Sequence, residues 1–254
     1  MPSHLSENAL EVLCSVFPNL IQSIRSVDQK DGFYSLHFSY YNRYCKKGTG
    51  TSANSEPSTI RRMGKNNVST KVNIPRESKE AELLYEYKHR LEEALHPMLQ
   101  WISEKLQSIL PETYERMEHT IDILPLGDTV PAYPFTGFVV NFNVATHIHR
   151  DSHDQEICLV FQFSSPDLKG GELVLVEPGL VISLKNGHGI LFRSHKITHL
   201  NLDFEGERVS LVFHTDNAMT SWSETFNGWG RNIYFRFHKS AIFDPNEGDP
   251  ASPP

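Results

Sequence analysis

The sequence contains little cysteine: Cys14, Cys45 and Cys158 are the three cysteines among 254 residues, and they lie far apart. This spacing excludes a disulfide framework and a zinc site built from paired thiolates, so we expect a reducing, intracellular setting. The chain also has no apolar run long enough to span a bilayer, and its start lacks the basic segment and apolar run of a signal peptide. We therefore expect no membrane contact.

Basic residues are fewer than acidic ones, so the formal net charge is −7. This argues against a nucleic-acid partner, since affinity for phosphates comes mainly from clustered Lys and Arg. However, residues 41–76 contain eight basic side chains and one acid, a net +7 that leaves −14 for the rest of the chain. The Gly, Ser, Thr and Asn content predicts a loop over residues 42–76. Such a basic loop is typical of a local anion contact and equally of a solvated loop.

The first half of the chain shows helical patterns. Residues 5–26 have apolar positions at helical spacing, broken near Pro18, which predicts two short helices. Residues 78–109 have the same spacing, interrupted by Pro97, which predicts one kinked helix or two in tandem. Between them, the alternating aromatic run 33–41 predicts a strand.

From Thr120 onward, short apolar runs alternate with turn residues. Such runs predict an all-β sandwich or jelly roll rather than alternating β and α units. We expect one catalytic domain over residues 1–218, with helical support in 1–118 and a strand-rich core in 119–218. The extension 219–254 is expected to be disordered at its end. The runs read as strands are IDILPL, GFVVNFNV, EICLVFQF, GELVLVEP, LVISL, GILF and RVSLVF.

Histidine is concentrated in the strand-rich half, where residues 147–214 hold seven of the thirteen. His149 and Asp151 are two residues apart, so on an extended chain they project to the same face and can bind one metal. Non-haem Fe(II) oxygenases use two histidines and one carboxylate on one face of the ion. A second pair with this spacing, His214 and Asp216, has no comparable histidine after it.

The chain order favours His149 and Asp151, because a further histidine, His199, and then Arg208 follow them. A buried guanidinium can hold the distal carboxylate of 2-oxoglutarate in a bidentate manner, and Arg208 is the candidate for this anchor. His195 competes with His199 as third ligand, and His147 competes with His149. We expect His153 and His188 to lie on the surface or to support the ligands.

The run that starts at Arg208 provides an independent indication. On a strand its residues alternate between two faces, one mostly polar and the other apolar. A polar face on a core strand predicts a lined cavity, although a half-exposed strand gives the same pattern. The polar face would carry Arg208, Ser210, Val212, His214 and Asp216.

At these residues the sequence resembles the TET/JBP family of 2-oxoglutarate oxygenases, in particular its compact fungal branch, over roughly residues 135–216. The family pattern HxHRD matches NFNVATHIHRD, and its final strand motif matches RVSLVF. The resemblance implies an α+β fold with a double-stranded β-helix (jelly roll) core and N-terminal helices packed on it. It also implies Fe(II), 2-oxoglutarate and O2 as cofactor and cosubstrates. The iron ligands would be His149, Asp151 and His199, and Arg208 with Ser210 would hold 2-oxoglutarate.

The resemblance also implies a substrate, a methylated base flipped out of double-stranded DNA. The base-reading positions carry Asp154, His214 and Asp216, which leaves both 5-methylcytosine and N6-methyladenine open. The chain lacks the cysteine-rich zinc modules of the large animal relatives, so the basic loop would supply the phosphate contacts. The family further implies a nuclear location, and we expect a monomer. The basic residues expected at the phosphates are Arg43, Lys46, Lys47, Arg61, Arg62 and Lys65.

Three other functions are compatible with the pattern. A protein hydroxylase of the prolyl-hydroxylase kind shares the HxD and distal His arrangement, and the acidic bulk suits it. A non-catalytic jelly-roll binding module would keep the fold without turnover. A cupin-like metal or sugar-binding protein would use the histidines only for structure.

Overall fold

The structure, a computed structural model, describes residues 1–16, 26–27, 35–39, 83–123 and 130–217. The basic loop 42–76 and the extension 219–254 lie outside the described residues. The described part combines helices with antiparallel sheets and one short parallel pair of strands, Ser26–Val27 with Val144–Ala145. The helices are α1 (Ser3–Val16), α2 (Tyr85–Ile109) and α3 (Pro111–Asp122). The strands are β1 (Ser26–Val27), β2 (Ser35–Ser39), β3 (Gly137–Phe142), β4 (Val144–Ala145), β5 (Cys158–Ser164), β6 (Lys169–Gly170), β7 (Leu173–Leu175), β8 (Leu180–Ile182), β9 (His188–Phe192), β10 (His199–Asn201), β11 (Phe204–Glu205) and β12 (Arg208–His214).

The main sheet has five antiparallel strands in the order β2-β3-β12-β5-β9. Strand residues alternate between its two faces. One face carries buried apolar side chains such as Phe138, Phe163 and Leu211, which form one core with the three helices. The opposite face carries the alternate residues, which line a cavity.

A smaller antiparallel sheet, β10-β7-β8, lies against the cavity face of the main sheet. Leu173 and Leu175 of β7 form a second apolar cluster with Phe192 of β9, and Val160 of β5 packs against it. The cavity therefore lies between two sheets that a separate apolar cluster holds together.

The helices bury one stripe each. In α1 the stripe contains Ala9, Leu13 and Val16, and the Asn8 side-chain amide donates to the Ala94 carbonyl of α2 at 3.2 Å. Helix α1 confirms the first of the two predicted helices as far as Val16, whereas the predicted break near Pro18 and the expected second helix lie outside the described residues. Of the two alternatives for residues 78–109, the structure has one helix with Pro97 inside it. No helix of the described residues is apolar and long enough to cross a membrane.

The prediction of a strand at IDILPL is wrong at its beginning, because Ile121 and Asp122 belong to helix α3. Pro111 at the first turn favours a helix start, and Tyr114, Met117 and Ile121 then recur at helical spacing and are buried. Residues 124–129 lie outside the described residues. The other predicted strands each contain an observed strand, and β2 confirms the strand within 33–41.

Candidate active site

His149, Asp151 and His199 converge at one end of the cavity. His149 and His199 form an isolated antiparallel bridge, in which each backbone N–H donates to the carbonyl of the other, at 3.0 and 2.9 Å. The Asp151 carboxylate lies 3.8 Å from Nε2 of His149 and 3.5 Å from Nε2 of His199. One ligand atom from each residue lies within 4.8 Å of the others, so the three could hold a single metal ion.

Both imidazoles are oriented for coordination through Nε2. The Nδ1 of His149 lies 2.6 Å from the carbonyl of His147, and the Nδ1 of His199 lies 2.9 Å from the carbonyl of Ile197. Since a carbonyl only accepts, each Nδ1 carries the proton and donates. The neutral ring then has its lone pair on Nε2, which faces Asp151. Metal-binding histidines are commonly fixed by such a bond at their other nitrogen.

The electrostatics of the three groups suit a cation. Burial alone would raise the pKa of Asp151, but the hydrogen bond from His199 and the charges of both imidazoles lower it below its ordinary value. Asp151 is therefore ionised at neutral pH. Burial alone would lower the pKa of His199, but Asp151 and the Ile197 carbonyl raise it above its ordinary value, so Nε2 of His199 takes up a proton more readily and can donate it to Asp151; a metal ion would have to displace that proton. Two imidazoles and one carboxylate on one side of an ion are the donor set of non-haem Fe(II) sites, so the residues fit iron.

The cavity beside these residues has a volume of about 710 Å³ and receives side chains from both sheets. Arg208, Ser210, Val212, His214 and Asp216 all line it, as the alternation along this run predicts. The opposite face of β12, which carries Val209, Leu211 and Phe213, belongs to the core under the helices.

Arg208 is a buried cation without a described acidic partner. The residue is 4% exposed, and its Nε has no hydrogen-bond partner among the described residues. Its Nη1 donates to the Gly171 carbonyl at 3.2 Å, and its guanidinium lies over the Phe204 ring at 5.6 Å. Burial lowers its pKa to about 10, so it stays charged at neutral pH. A buried, uncompensated guanidinium that lines a cavity is a binding group for an anion.

A hydrogen-bonded row beside Arg208 ends in a second donor. In the main sheet Ser35, Asn141 and Ser210 are cross-strand neighbours on β2, β3 and β12. The Ser35 hydroxyl donates to Oδ1 of Asn141, and Nδ2 of Asn141 donates to the Ser210 hydroxyl oxygen at 3.3 Å. Because the Ser210 oxygen accepts this bond, its own proton can donate into the cavity.

Near the end of β12 the cavity has a second polar group. His214 is buried, with Nδ1 3.4 Å from Oδ1 of Asp154 and Nε2 3.3 Å from the Ser39 hydroxyl. The other Asp154 oxygen accepts from the Ser194 hydroxyl at 2.7 Å. Burial alone would lower the pKa of His214, but Asp154 and Asp216 raise it. An antiparallel backbone bridge between Asp154 and Asp216 places the two predicted base-reading residues opposite each other.

The structure also separates the competing histidines. His199, and not His195, lies at Asp151, whereas Nδ1 of His195 is buried without a partner and the residue does not line the cavity. His147 contributes its carbonyl to His149. The side chains of His153 and His188 are exposed, as expected. The six basic residues predicted at phosphates all lie outside the described residues.

Sequence reasoning missed several residues that shape the site. Asn141 and Ser35 orient Ser210, and Gly171 and Phe204 hold Arg208. The alternation that placed Ser210 in the cavity also applies to Ser35 and Asn141 on their own strands and could have identified them. Gly171 and Phe204 contact Arg208 across the fold, and no local pattern marks them.

Comparison with known proteins supplies one informative similarity. No protein-family model and no curated protein sequence matches the chain significantly. The solved structure of NgTET1 in complex with 5mC DNA superposes with a TM-score of 0.58 at 14% identity, over 86% of this chain and 70% of that one. The chain therefore shares the overall fold of NgTET1.

Two further solved structures are more distant. An oxidoreductase of the 2OG-Fe(II) oxygenase family from Burkholderia pseudomallei has a TM-score of 0.28 at 23% identity, over 32% of this chain and 42% of that one. A bsmA homologue from Methylobium petroleophilum has a TM-score of 0.38 at 11% identity, over 84% and 86%. At these TM-scores neither similarity informs the fold further.

Proposed function

We propose that the protein is an Fe(II)- and 2-oxoglutarate-dependent dioxygenase that oxidises the methyl group of a methylated DNA base. The observation that carries this proposal is the joint presence, in one cavity, of a two-histidine, one-carboxylate set and a buried cation without a described acidic partner. The fold shared with NgTET1 supports placing these groups on a double-stranded β-helix of the TET-like branch.

The proposed cosubstrate is inferred from the side chains at the two ends of the cavity. His149, Asp151 and His199 would hold iron, to which 2-oxoglutarate binds through its keto-acid end. Its distal carboxylate accepts hydrogen bonds and carries negative charge, which matches Arg208 and the Ser210 hydroxyl, both of which offer donors. At these residues iron would supply O2 activation, in which one oxygen atom goes to 2-oxoglutarate, giving succinate and CO2, and the other enters a substrate C–H bond.

A DNA substrate is supported by where the basic loop begins. Strand β2 ends at Ser39, whose hydroxyl contacts His214 in the polar group at the end of β12, and residues 42–76 follow almost directly. Because three peptide units span at most about 11 Å, chain connectivity alone limits how far residue 42 can lie from Ser39. The NgTET1 structure with the same fold is a complex with 5mC DNA. A base inside a duplex cannot reach a buried metal, so the proposed substrate is a flipped nucleotide.

The polar group at this end would read the flipped base. Asp154 and Asp216 are acceptors that suit an exocyclic amino group, and His214, whose two ring nitrogens contact Asp154 and Ser39, lies beside them. Cytosine and adenine both carry such an amino group, so 5-methylcytosine and N6-methyladenine are both proposed as substrates. We also propose a monomeric, nuclear protein.

The test is incubation with Fe(II), 2-oxoglutarate, O2 and duplexes that carry either methylated base, followed by mass spectrometry of the nucleosides. We expect the hydroxymethyl derivative of one base together with succinate, both abolished in Asp151→Ala. Succinate release without a modified base would favour a protein hydroxylase. Absence of succinate in the wild-type protein would favour a binding module.

A further inference from the structure

The ligand-bearing segments are joined outside the three ligands by a closed hydrogen-bonded ring of Arg150, Thr198 and Glu177. Nε of Arg150 donates to the Thr198 hydroxyl oxygen at 2.8 Å. The Thr198 hydroxyl donates to Oε1 of Glu177 at 2.5 Å, and Nη2 of Arg150 donates to the same oxygen at 2.5 Å. The second Glu177 oxygen accepts the backbone N–H of Thr198 at 2.7 Å.

The position of this ring relative to the ligands is specific. Arg150 lies between His149 and Asp151 in the chain, and Thr198 directly precedes His199. Glu177 follows β7, and the backbone N–H of the residue before it donates to the Thr198 carbonyl at 2.9 Å. One carboxylate therefore connects both ligand-bearing segments to the small sheet.

Besides this ring, a few hydrogen bonds join the two segments: the Asp151 backbone N–H donates to the Ser194 carbonyl at 3.2 Å, the Thr146 hydroxyl to Oδ1 of Asn201 at 3.2 Å and the Ser194 hydroxyl to Asp154 at 2.7 Å. His149 and His199 pair through an isolated bridge that does not extend into a strand pair, and the next backbone bond, from Asn201 to Thr146, is long at 3.3 Å. Yet a metal site tolerates errors of only about 0.2 Å in its ligand distances. An additional connection between the segments would therefore affect the metal affinity directly.

We propose that Arg150, Thr198 and Glu177 are positioning residues that set the distance between the ligand pair His149–Asp151 and the distal ligand His199. They do not touch the metal, and they act through the backbone that carries its ligands. Arg150 and Glu177 are half-exposed, so the ring contributes little to global stability, as is usual for surface ion pairs. The ring instead affects the distances between the three metal ligands. This inference rests on the metal site of the proposed function.

The experiment measures metal affinity rather than turnover. Anaerobic titration calorimetry with Fe(II), and with Co(II) whose d–d absorption reports the coordination geometry, is carried out on the full chain. The variants are Thr198→Val, which keeps the shape but removes the hydroxyl, and Glu177→Gln. We expect metal affinity to fall about tenfold or more, as for other residues that support metal ligands. The Co(II) spectrum should change, while the Tm should move little.

The matched control is Arg116→Gln. Arg116 and Glu156 form another exposed bidentate pair, at 3.2 and 3.1 Å, that contacts none of the three ligands. This control should bind Fe(II) and Co(II) like the wild-type protein. Wild-type affinity and an unchanged Co(II) spectrum in both ring variants would overturn the inference and leave the proposed function intact. A wild-type protein that binds neither metal would overturn both.

Discussion

Arg208 is a buried, positively charged residue, and no acidic side chain among the described residues pairs with its guanidinium. Its Nε has no partner, and one carbonyl and one aromatic ring contact the rest of the guanidinium. Such a group opposes folding unless a ligand neutralises it, because an unpaired buried charge is destabilising. Removing the Arg208 guanidinium should therefore weaken 2-oxoglutarate binding but stabilise the ligand-free protein.

We expect Arg208→Met to weaken 2-oxoglutarate binding by about 30-fold or more, since the ligand carboxylate loses a buried cation. The same substitution should raise the free energy of unfolding of the ligand-free protein by about 1 kcal/mol or more. Calorimetry and chemical denaturation measure the two effects. Arg116→Met, at an exposed arginine, should leave the affinity unchanged. A destabilised Arg208→Met protein with normal 2-oxoglutarate binding would contradict the anchor role.

Asn141 provides a second residue-scale prediction. In the row Ser35, Asn141 and Ser210, the amide nitrogen is the group that directs the Ser210 proton into the cavity. Asn141→Asp replaces this donor with a carboxylate, which would accept the Ser210 proton and repel an anion. We expect 2-oxoglutarate affinity to fall on the order of tenfold or more while Fe(II) affinity, measured in the same titrations, is retained. Equal losses of both affinities would indicate general disruption instead.

His214 and Asp154 give a pH-dependent prediction. Asp154 raises the pKa of His214 above the ordinary value of 6.5, so the pair adds stability that is complete below that value and is lost as the pH rises through the folded-state pKa. Asp154→Asn removes this contribution. The difference in free energy of unfolding between wild type and Asp154→Asn should therefore shrink as the pH rises from about 6 to about 9. A constant difference would show that the pair does not titrate as the structure implies.

At the scale of elements, strand β2 links three parts of the molecule. It forms the edge of the main sheet, contributes Ser35 and His37 to the cavity and leads into the basic loop. Its pairing depends on Gly137, because a Cβ there would lie 2.5 Å from the Ser39 Cα. A side chain at position 137 cannot fit without separating the end of β2 from β3.

Gly137→Ala is therefore expected to lower the free energy of unfolding by about 1–3 kcal/mol, the usual range for overpacking. It should also weaken binding of a methylated duplex, since Ser39 moves away from His214. Ser39→Ala is the control, because it removes the hydroxyl contact without adding an atom between the strands. If Gly137→Ala is as stable as Ser39→Ala, the close approach of the two strands is not the constraint that the geometry indicates.

Local sequence patterns predicted the helices and strands whose buried residues recur at one regular spacing. Strand β12 has strict alternation, and both of its faces lie where the period places them. Helix α3 was missed because its run is short and contains few apolar residues, and Ile121 was read as the start of a strand. Strand β10 is three residues long, too short for a period, although its first residue is His199.

In the candidate site, too, some features can be predicted from the sequence and others cannot. The spacing of His149 and Asp151, and the order that places His199 and Arg208 after them, can be seen in the chain. The carbonyls that fix the imidazoles, the orienting amide of Asn141 and the ring through Glu177 depend on contacts between distant segments. Such contacts are set by the register of the sheets, and no local pattern records them.

The distribution of charge over the whole molecule decides whether DNA can be the substrate. The chain carries −7, and residues 41–76 carry +7. The described helices α2 and α3 are rich in glutamate. The acidic surface would repel a duplex, so binding should depend on the basic loop alone.

Neutralising Lys46, Lys47, Arg61 and Arg62 together should weaken binding of a methylated duplex and flatten its salt dependence. Each phosphate contact that is lost lowers the slope of log K against log salt by about 0.9, because fewer counterions are released. Mobility shifts at several salt concentrations measure both effects, and the affinities for Fe(II) and 2-oxoglutarate, measured separately, should be unaffected. The control neutralises four exposed basic residues of the described surface, Arg90, Lys105, Arg116 and Lys169. Because these lie on the acidic body, their loss should leave the slope unchanged. Equal slopes in the two quadruple variants would show that the loop does not contact phosphates, and a protein substrate would then account better for the acidic surface.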